Sequence, residues 1–483
     1  KTIFVNAKMD DMWKTFNPPD KENMILRDMD GELYLNPFWG IPKVSDHNRK
    51  REEQFLAHVA KTIIKEYKEL FHKNKKTVFN IEIKECYMIK LVYNNKKGEY
   101  FMRLLKIVVN GLALFGDELV IDFNTEQRVT SDNNEMVTHL QKSIYTNNAI
   151  SFVGVNASGK TTILEVISFI FELLNCKQIN SIDKRDILNN SENVSFEIYF
   201  FTEDKKIGKL HTIISNMVDD KNDTHYFISE ETLWTKKRVH DLTKQTLYQF
   251  KKSDIRYKRS NDEVFLNDDI SIIILINKNN KLNVLDLLEC TDINLIKLIG
   301  NFPHALFEFL DSSIESVTYD DKESEFKLKF AGKDEIIVPS PIELNKYLSS
   351  GTIKGINVFV SAMLTFQKGG YLIIDEIENH FHKEIVAILI RFFMDKRVNK
   401  KGATIIFSTH YSELLDEFER NDCVYVVRNN NGITAEKLTN ILHRNDVNKS
   451  EAYLSDFLNG TAPSYDAYIG LRNAIINGEI KGV

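Results

Sequence analysis

Apolar residues recur along this chain at two spacings, and the change from one to the other predicts its elements. Ala149-Ile150-Ser151-Phe152-Val153 is a short apolar run with strand character. After a glycine-containing stretch, Ile163, Ile167, Ile170 and Leu174 repeat at helical spacing. The same order returns later. A helix over about Thr352–Phe366 precedes a strand Tyr371–Asp375, and a helix Lys383–Met394 precedes a strand Ala403–Ser408. A short helix Glu413–Phe418 then precedes a strand Cys423–Arg428. Such alternation predicts an α/β fold, a mainly parallel sheet covered by helices.

Other stretches read differently. Strands are expected over Val78–Ile83, Tyr87–Tyr93, Phe101–Asn110 and Glu118–Phe123, the last two bracketing the turn Gly111–Asp117 as a hairpin. Val194–Phe201 and Gly208–Ser215 are further strands. Between about 203 and 340 the alternation lapses into short strands, a basic segment and an apolar helix near Ile293–Leu310. The first 75 residues start turn-rich and continue as a helical pattern over Arg49–Phe71, with Phe55, Val59, Ile63 and Tyr67 in step. The chain is expected to divide into an N-terminal extension (1–100), the first half of a split core (101–202) and an insertion or lobe carrying the basic segment (203–340). The second half of the core (341–430) and a helical tail (431–483) follow. No internal repeat and no heptad run is visible.

Composition narrows the class. The 483 residues are 43% hydrophobic and 27% charged, as in a soluble globular protein of about three domains. A net charge of −6 argues against a surface basic all over, though not against a local basic patch. Cys86, Cys176, Cys290 and Cys423 lie far apart without C-x-x-C pairing, so reduced thiols and a cytoplasmic location are expected. The longest apolar runs, Ile270–Ile276 and Ile385–Met394, are too short for a membrane span, and no membrane partner is expected. The N-terminus lacks a secretion pattern. The chain begins at Lys1 rather than Met, so residues upstream are expected.

Chemistry concentrates at three places. Gly154-Val155-Asn156-Ala157-Ser158-Gly159-Lys160-Thr161-Thr162 fits G-x-x-x-x-G-K-[ST] between a strand and a helix. Glycines let such a loop wrap a polyphosphate, so that Gly154, Asn156, Ala157, Ser158, Gly159 and Thr162 bind nucleotide through backbone N–H groups and the helix N-terminus. Lys160 reaches the β and γ phosphates, and the Thr161 hydroxyl holds Mg²⁺. The strand Tyr371–Asp375 ends in Asp375 and Glu376, whose side chains point oppositely and need different partners. That suits Asp375 as a second support for Mg²⁺ and Glu376 as the group polarising the attacking water. His410, at the end of Thr404–Thr409, can donate a hydrogen bond to phosphate or water. Leu348-Ser349-Ser350-Gly351-Thr352 precedes a helix and makes an anion site there.

The order of these motifs resembles the ABC-type ATPase heads of SMC, RecF-like and OLD-family proteins, over about 101–202 and 341–430. Phe101–Phe123 looks like the opening hairpin of those heads. The resemblance implies ATP and Mg²⁺ as ligands, and a dimer or higher oligomer with nucleotide sandwiched between protomers. Leu348–Thr352 would be the signature motif, with Ser349 and Gly351 contacting the other protomer's γ phosphate. His410 would be the switch histidine, and Asn379-His380-Phe381-His382 lies where the D-loop sits. Ser350 and Thr352 replace residues of the transporter-type Leu-Ser-Gly-Gly-Gln, and Gln178 is the candidate for a Q-loop glutamine.

The insertion is too short for SMC coiled coils, and the 73 residues after His410 are too few for the Toprim domain of OLD nucleases. The layout is similar to stand-alone OLD-like ATPases, as in the PARIS and Septu systems, which work with a separately encoded effector in anti-phage defence. A nucleotide-switched DNA-binding or repair ATPase of RecF-like type is the alternative. Lys236–Arg259 bears on that choice. It holds nine cations against Asp241 and Asp254, interleaved with Tyr248, Phe250 and Tyr257. A solvated loop and a nucleic-acid contact both fit this pattern.

Overall fold

The computed structural model describes residues 102–131, 133–202, 204–218, 223–236, 243–244, 246–259, 266–277, 282–289, 298–299, 303–320, 325–340, 343–379, 381–444, 447–455, 457–458 and 465–477, with the short strands 25–27, 33–35 and 89–90. The helix expected over Arg49–Phe71, the strand Val78–Ile83, most of Tyr87–Tyr93, His380 and residues 237–242 lie outside the described residues. Residues 1–86 and 87–483 form two units. In the first, Ile25–Arg27 pairs antiparallel with Leu33–Leu35.

The second unit holds the expected hairpin, β1 (Arg103–Asn110) and β2 (Leu119–Asp122). Then come β3 (Ala149–Val153), α1 (Lys160–Leu174), β4 (Asn193–Phe201), β5 (Ile207–Val218) and β6 (Thr224–Lys236). Two short strands follow, β7 (Ile255–Lys258) and β8 (Val284–Asp286). A three-stranded antiparallel sheet, β9 (Ile314–Asp320), β10 (Glu325–Phe330) and β11 (Ile336–Val338), leads to α2 (Ser350–Lys368). The chain then runs through β12 (Tyr371–Ile374), α3 (Lys383–Phe393), β13 (Thr404–Thr409), β14 (Val424–Asn429), β15 (Ile433–Lys437) and α4 (Lys449–Leu454).

Two six-stranded sheets organise the unit. One has the order β7-β6-β5-β4-β1-β2 and is antiparallel throughout. The other has the order β8-β12-β13-β3-β14-β15, with only the β14–β15 pair antiparallel. The expected α/β architecture is therefore present. Strand β8 comes from inside the 203–340 stretch yet pairs with β12 at the edge of the parallel sheet. Its three residues are too few to show a period in the sequence.

Helix α1 lies between the sheets. Its Ile163, Leu164, Val166, Ile167, Phe169 and Ile170 are buried with Leu104, Ile107, Phe196 and Ile198 of one sheet and Phe152, Ile373, Ile406 and Tyr425 of the other. The opposite face of the parallel sheet presents Leu372, Ile374, Ile405 and Phe407 to Ile353 and Ile356 of α2 and to Val386 and Ile390 of α3. Successive strand residues thus feed two cores, as the two-residue period requires. Two tyrosines fasten the sheets together. The Tyr371 hydroxyl accepts from the Leu104 N–H, and the Tyr425 hydroxyl from the Asp122 N–H, both at 2.8 Å.

Candidate functional site

Parallel neighbours end at the same edge, so β3, β12 and β13 deliver their following loops to one place. The loop after β3 is held tightly. A Cβ on Gly154 would fall 2.4 Å from the Val427 carbonyl oxygen, and Gly159 takes φ +98 with its α-hydrogen side against Ile433. Ala157 shares the left-handed conformation at φ +60. Left-handed residues on either side of Ser158 turn backbone N–H groups toward a common concavity suited to an anion. Ser158 is buried, with a hydroxyl that has no hydrogen-bond partner among the described residues. Asn156 and Ala157 are exposed, and Thr162 lines a cavity of about 310 Å³ together with Leu114, Glu165, Lys184, Asp186 and Ile187.

Lys160, 5% exposed, folds back over the loop and donates to the Gly154 and Val155 carbonyls at 3.0 and 3.1 Å. Burial lowers its pKa, opposed by the charges of Asp375, Glu376 and Glu378. Burial also raises the Glu165 carboxyl, with Lys184 opposing and Asp375 adding to the rise.

The strand stops at Ile374, and the two acids lie in the turn beyond it with different partners. The Thr161 hydroxyl donates to Asp375 Oδ2 at 2.6 Å, and the Ser408 hydroxyl donates to Oδ1 of the same carboxylate. Glu376 takes φ +42 and its N–H donates to Ser408 Oγ at 2.7 Å. Asn379 Nδ2 donates to Glu376 Oε2 at 2.6 Å. His410 completes the group, with Nδ1 at 3.4 Å from Lys160 Nζ and Nε2 at 3.6 Å from Glu376 Oε1. Lys160, Thr161, Asp375, Glu376 and His410, far apart in sequence, thus form one cluster.

Ser349 and Gly351 stand at the start of α2. Ser349 is its N-cap, accepting from the Thr352 N–H at 3.0 Å, while its hydroxyl lies 2.8 Å from that of Thr352. One turn further, Lys354 Nζ donates to the Glu376 carbonyl at 3.3 Å and ties this helix to the acidic turn.

Gln178 lies apart from this cluster. It follows the far end of the 15-residue α1, about 22 Å along the helix from Lys160, with Nε2 3.5 Å from Asp269. Sequence reasoning also passed over Ser408, which holds both Asp375 and the Glu376 backbone, and Glu378, which directly precedes the Asn379 read as the start of the D-loop. Polar residues directly after a buried strand were the available signal.

The basic segment divides in two. Lys236 is buried and donates to the Thr246 and Leu247 carbonyls, Lys244 donates to the carbonyls of Thr125, Glu126 and Gln127, and Arg259 sits 3.6 Å from the buried Glu231. Lys251, Lys252, Arg256 and Lys258 are exposed on the edge strand β7 and the turn before it.

A glycine loop between a central parallel strand and a buried helix, beside a strand ending in an acid pair, defines a P-loop ATPase domain. The family model described as "AAA domain, putative AbiEii toxin, Type IV TA system" matches residues 150–416, more than half of the chain, and the chain belongs to that family. It is a P-loop ATPase family related to the SMC, RecF and OLD-like ATPases. No curated protein matches the chain. Among the described residues, no helix is long and apolar enough to cross a membrane.

Proposed function

We propose that the chain binds ATP on Gly154–Thr162 and hydrolyses it with Glu376 as the group that polarises the attacking water. The observation carrying this reading is the convergence of Lys160, His410 and Glu376 around one opening, with the Thr161–Asp375 pair beside it. Lys160 would leave the Gly154 and Val155 carbonyls for the β and γ phosphates, exchanging two neutral acceptors for charged ones. Asn379 holds Glu376 on the side facing His410, and His410 would donate to the γ phosphate. The base and ribose would lie in the cavity at Thr162, between the apolar Leu114 and Ile187.

The donor set fits Mg²⁺. Thr161 Oγ1 and Asp375 Oδ2 are hard oxygens already 2.6 Å apart, and Mg²⁺ takes few protein ligands beside phosphates and waters. Thr161 and Asp375 would hold the ion, which neutralises charge developing on the β and γ phosphate oxygens.

We further infer that two copies, in a dimer or higher oligomer, sandwich ATP. Ser349 and Gly351 of one copy would close on the γ phosphate held by the other, where the capped N-terminus of α2 exchanges its internal bonds for an anion. Turnover would gate a separately encoded effector in the cytoplasm. The matched family's description, a putative toxin of a toxin–antitoxin system, supports a role beside a partner protein, and the layout shared with stand-alone OLD-like ATPases suggests that the setting is anti-phage defence. A second reading, a nucleotide-switched DNA-binding or repair ATPase, draws on the exposed cations of β7.

Mixing two inactive variants tests the sandwich. Lys160→Ala lacks the phosphate loop's cation, and Ser349→Arg blocks the facing surface. Each alone should be inactive, whereas mixed dimers pair one intact loop with one intact Ser349 and should recover part of the turnover. Mixed dimers shown to form yet as inactive as either parent would mean that the site is completed within one chain.

A further inference from the structure

Glu378 lies two residues beyond Glu376 and differs from it in exposure and in partner. The Glu376 side chain is 42% exposed, whereas Glu378 as a residue is 6% exposed. Its Oε1 accepts the His410 N–H at 2.5 Å, across the gap between the ends of β12 and β13. Its Oε2 is buried without a hydrogen-bond partner among the described residues.

The ends of those two strands are already laced together. Glu376 N–H donates to Ser408 Oγ, Ile377 N–H donates to the Ser408 carbonyl at 3.1 Å, and the Ser408 hydroxyl donates to Asp375. All of these bonds stop at Ser408. The Glu378 bond reaches two residues further, to the residue whose ring spans Lys160 and Glu376.

A half-satisfied buried carboxylate is a costly way to join two loops that are already joined, since each bare buried oxygen forfeits its hydration. Its charge is felt at Lys160, and burial followed by the Glu378 charge pushes the Tyr453 phenol of α4 up to about 12. An apolar contact would satisfy the fold at lower cost. What the carboxylate adds is a short, directional acceptor for a single backbone N–H.

We propose that Glu378 is a positioning residue that sets the His410 backbone, and through it places the imidazole between Lys160 and Glu376. It touches no phosphate in this account. The proposal rests on the ATPase reading above for its effect on turnover, but not for the bond itself.

Two substitutions separate reach from charge. Glu378→Asp keeps the charge and withdraws the carboxylate by one methylene, beyond hydrogen-bond reach of the His410 N–H. Glu378→Gln keeps an acceptor at the same length and removes the charge. Backbone amide exchange of the nucleotide-free full chain, read on peptides containing His410, should accelerate in Glu378→Asp and stay at the parent rate in Glu378→Gln. ATP turnover should fall about tenfold or more in Glu378→Asp with nucleotide affinity within about threefold of the parent, because small misplacements of catalytic groups have large effects on rate. Glu378→Gln should turn over within about threefold of the parent, the glutamine amide holding the same position. Adding Glu378→Asp to His410→Ala should change the rate by less than about twofold, since residues acting as one unit are not additive.

Glu378→Gln as impaired as Glu378→Asp would overturn the proposal, as would full additivity with His410→Ala or unchanged exchange in Glu378→Asp. A parent chain without turnover, with the exchange difference intact, would sink the ATPase reading and leave the positioning of His410 standing.

Discussion

The two six-stranded sheets are equal in strand number and opposite in what they do with their ends. In the parallel sheet, every residue of β3, β12 and β13 is buried, and polar groups arrive together where the strands stop. In the antiparallel sheet, β5 alternates buried and half-buried positions, and its polar groups lie along the faces. There Lys209 pairs with Glu197 at 2.7 Å and lies over the rings of Tyr199 and Trp234, at 5.3 and 5.4 Å. The connections β4–β5 and β5–β6 are hairpins, so consecutive strand ends fall at opposite edges and only alternate loops share one. The parallel sheet therefore gathers distant residues into a site, while the antiparallel sheet offers surfaces.

If that division holds, a change at one sheet should leave the other's property intact. The largest effect should come from Glu376→Gln, which removes the water-polarising carboxylate while Thr161 and Asp375 remain. Phosphate release should fall about 10²–10⁴-fold, with ATP affinity near that of the parent. A rate within about threefold of the parent would take Glu376 out of this role.

Reversing charge at Lys251, Lys252, Arg256 and Lys258 should act on the antiparallel edge alone. ATP turnover should stay within about twofold, since among the described residues no contact links these side chains to the cluster. If β7 contacts single-stranded nucleic acid, the logarithmic salt slope should become shallower by about 3, four cations each releasing ~0.7 of a counterion. An unchanged slope would return β7 to a solvated edge.

The smallest effect concerns pH. Burial lowers the Lys160 pKa below the ordinary 10.5, so the nucleotide-free site releases that proton earlier than an exposed lysine would. Bound phosphates favour the charged form and restore the proton. ATP affinity should therefore be flat near neutrality and fall as the pH rises past the lowered value, before 10.5 is reached. Titration of Lys160→Arg, whose guanidinium stays charged, should remain flat over the same range.

Much of the parallel half was legible because buried strands are continuous apolar runs and their ends are abrupt. Val153 to Gly154, Ile374 to Asp375 and Thr409 to His410 each mark a strand end where the site begins. Strand β8 was not legible, since three residues carry no period and pairing at the sheet edge decides their state. The supporting groups were hidden for another reason. Ser408 and Glu378 act through partners 33 and 32 residues away, and no local pattern records a bond between two loops. Charge counting misled at the basic segment. Lys236, Lys244 and Arg259 look available in the sequence, but the fold turns each onto its own carbonyls or carboxylate.

The position of the metal tests the central claim most directly. Glu376→Gln crystals grown with ATP and Mn²⁺ in place of Mg²⁺ would report the ion by its anomalous signal. The peak should lie between Thr161 Oγ1 and the Asp375 carboxylate, about 2.1–2.2 Å from each, with the γ phosphate against Lys160. Nucleotide bound with no ion there, or an ion held instead at Glu165 and Asp286, would contradict the site as drawn.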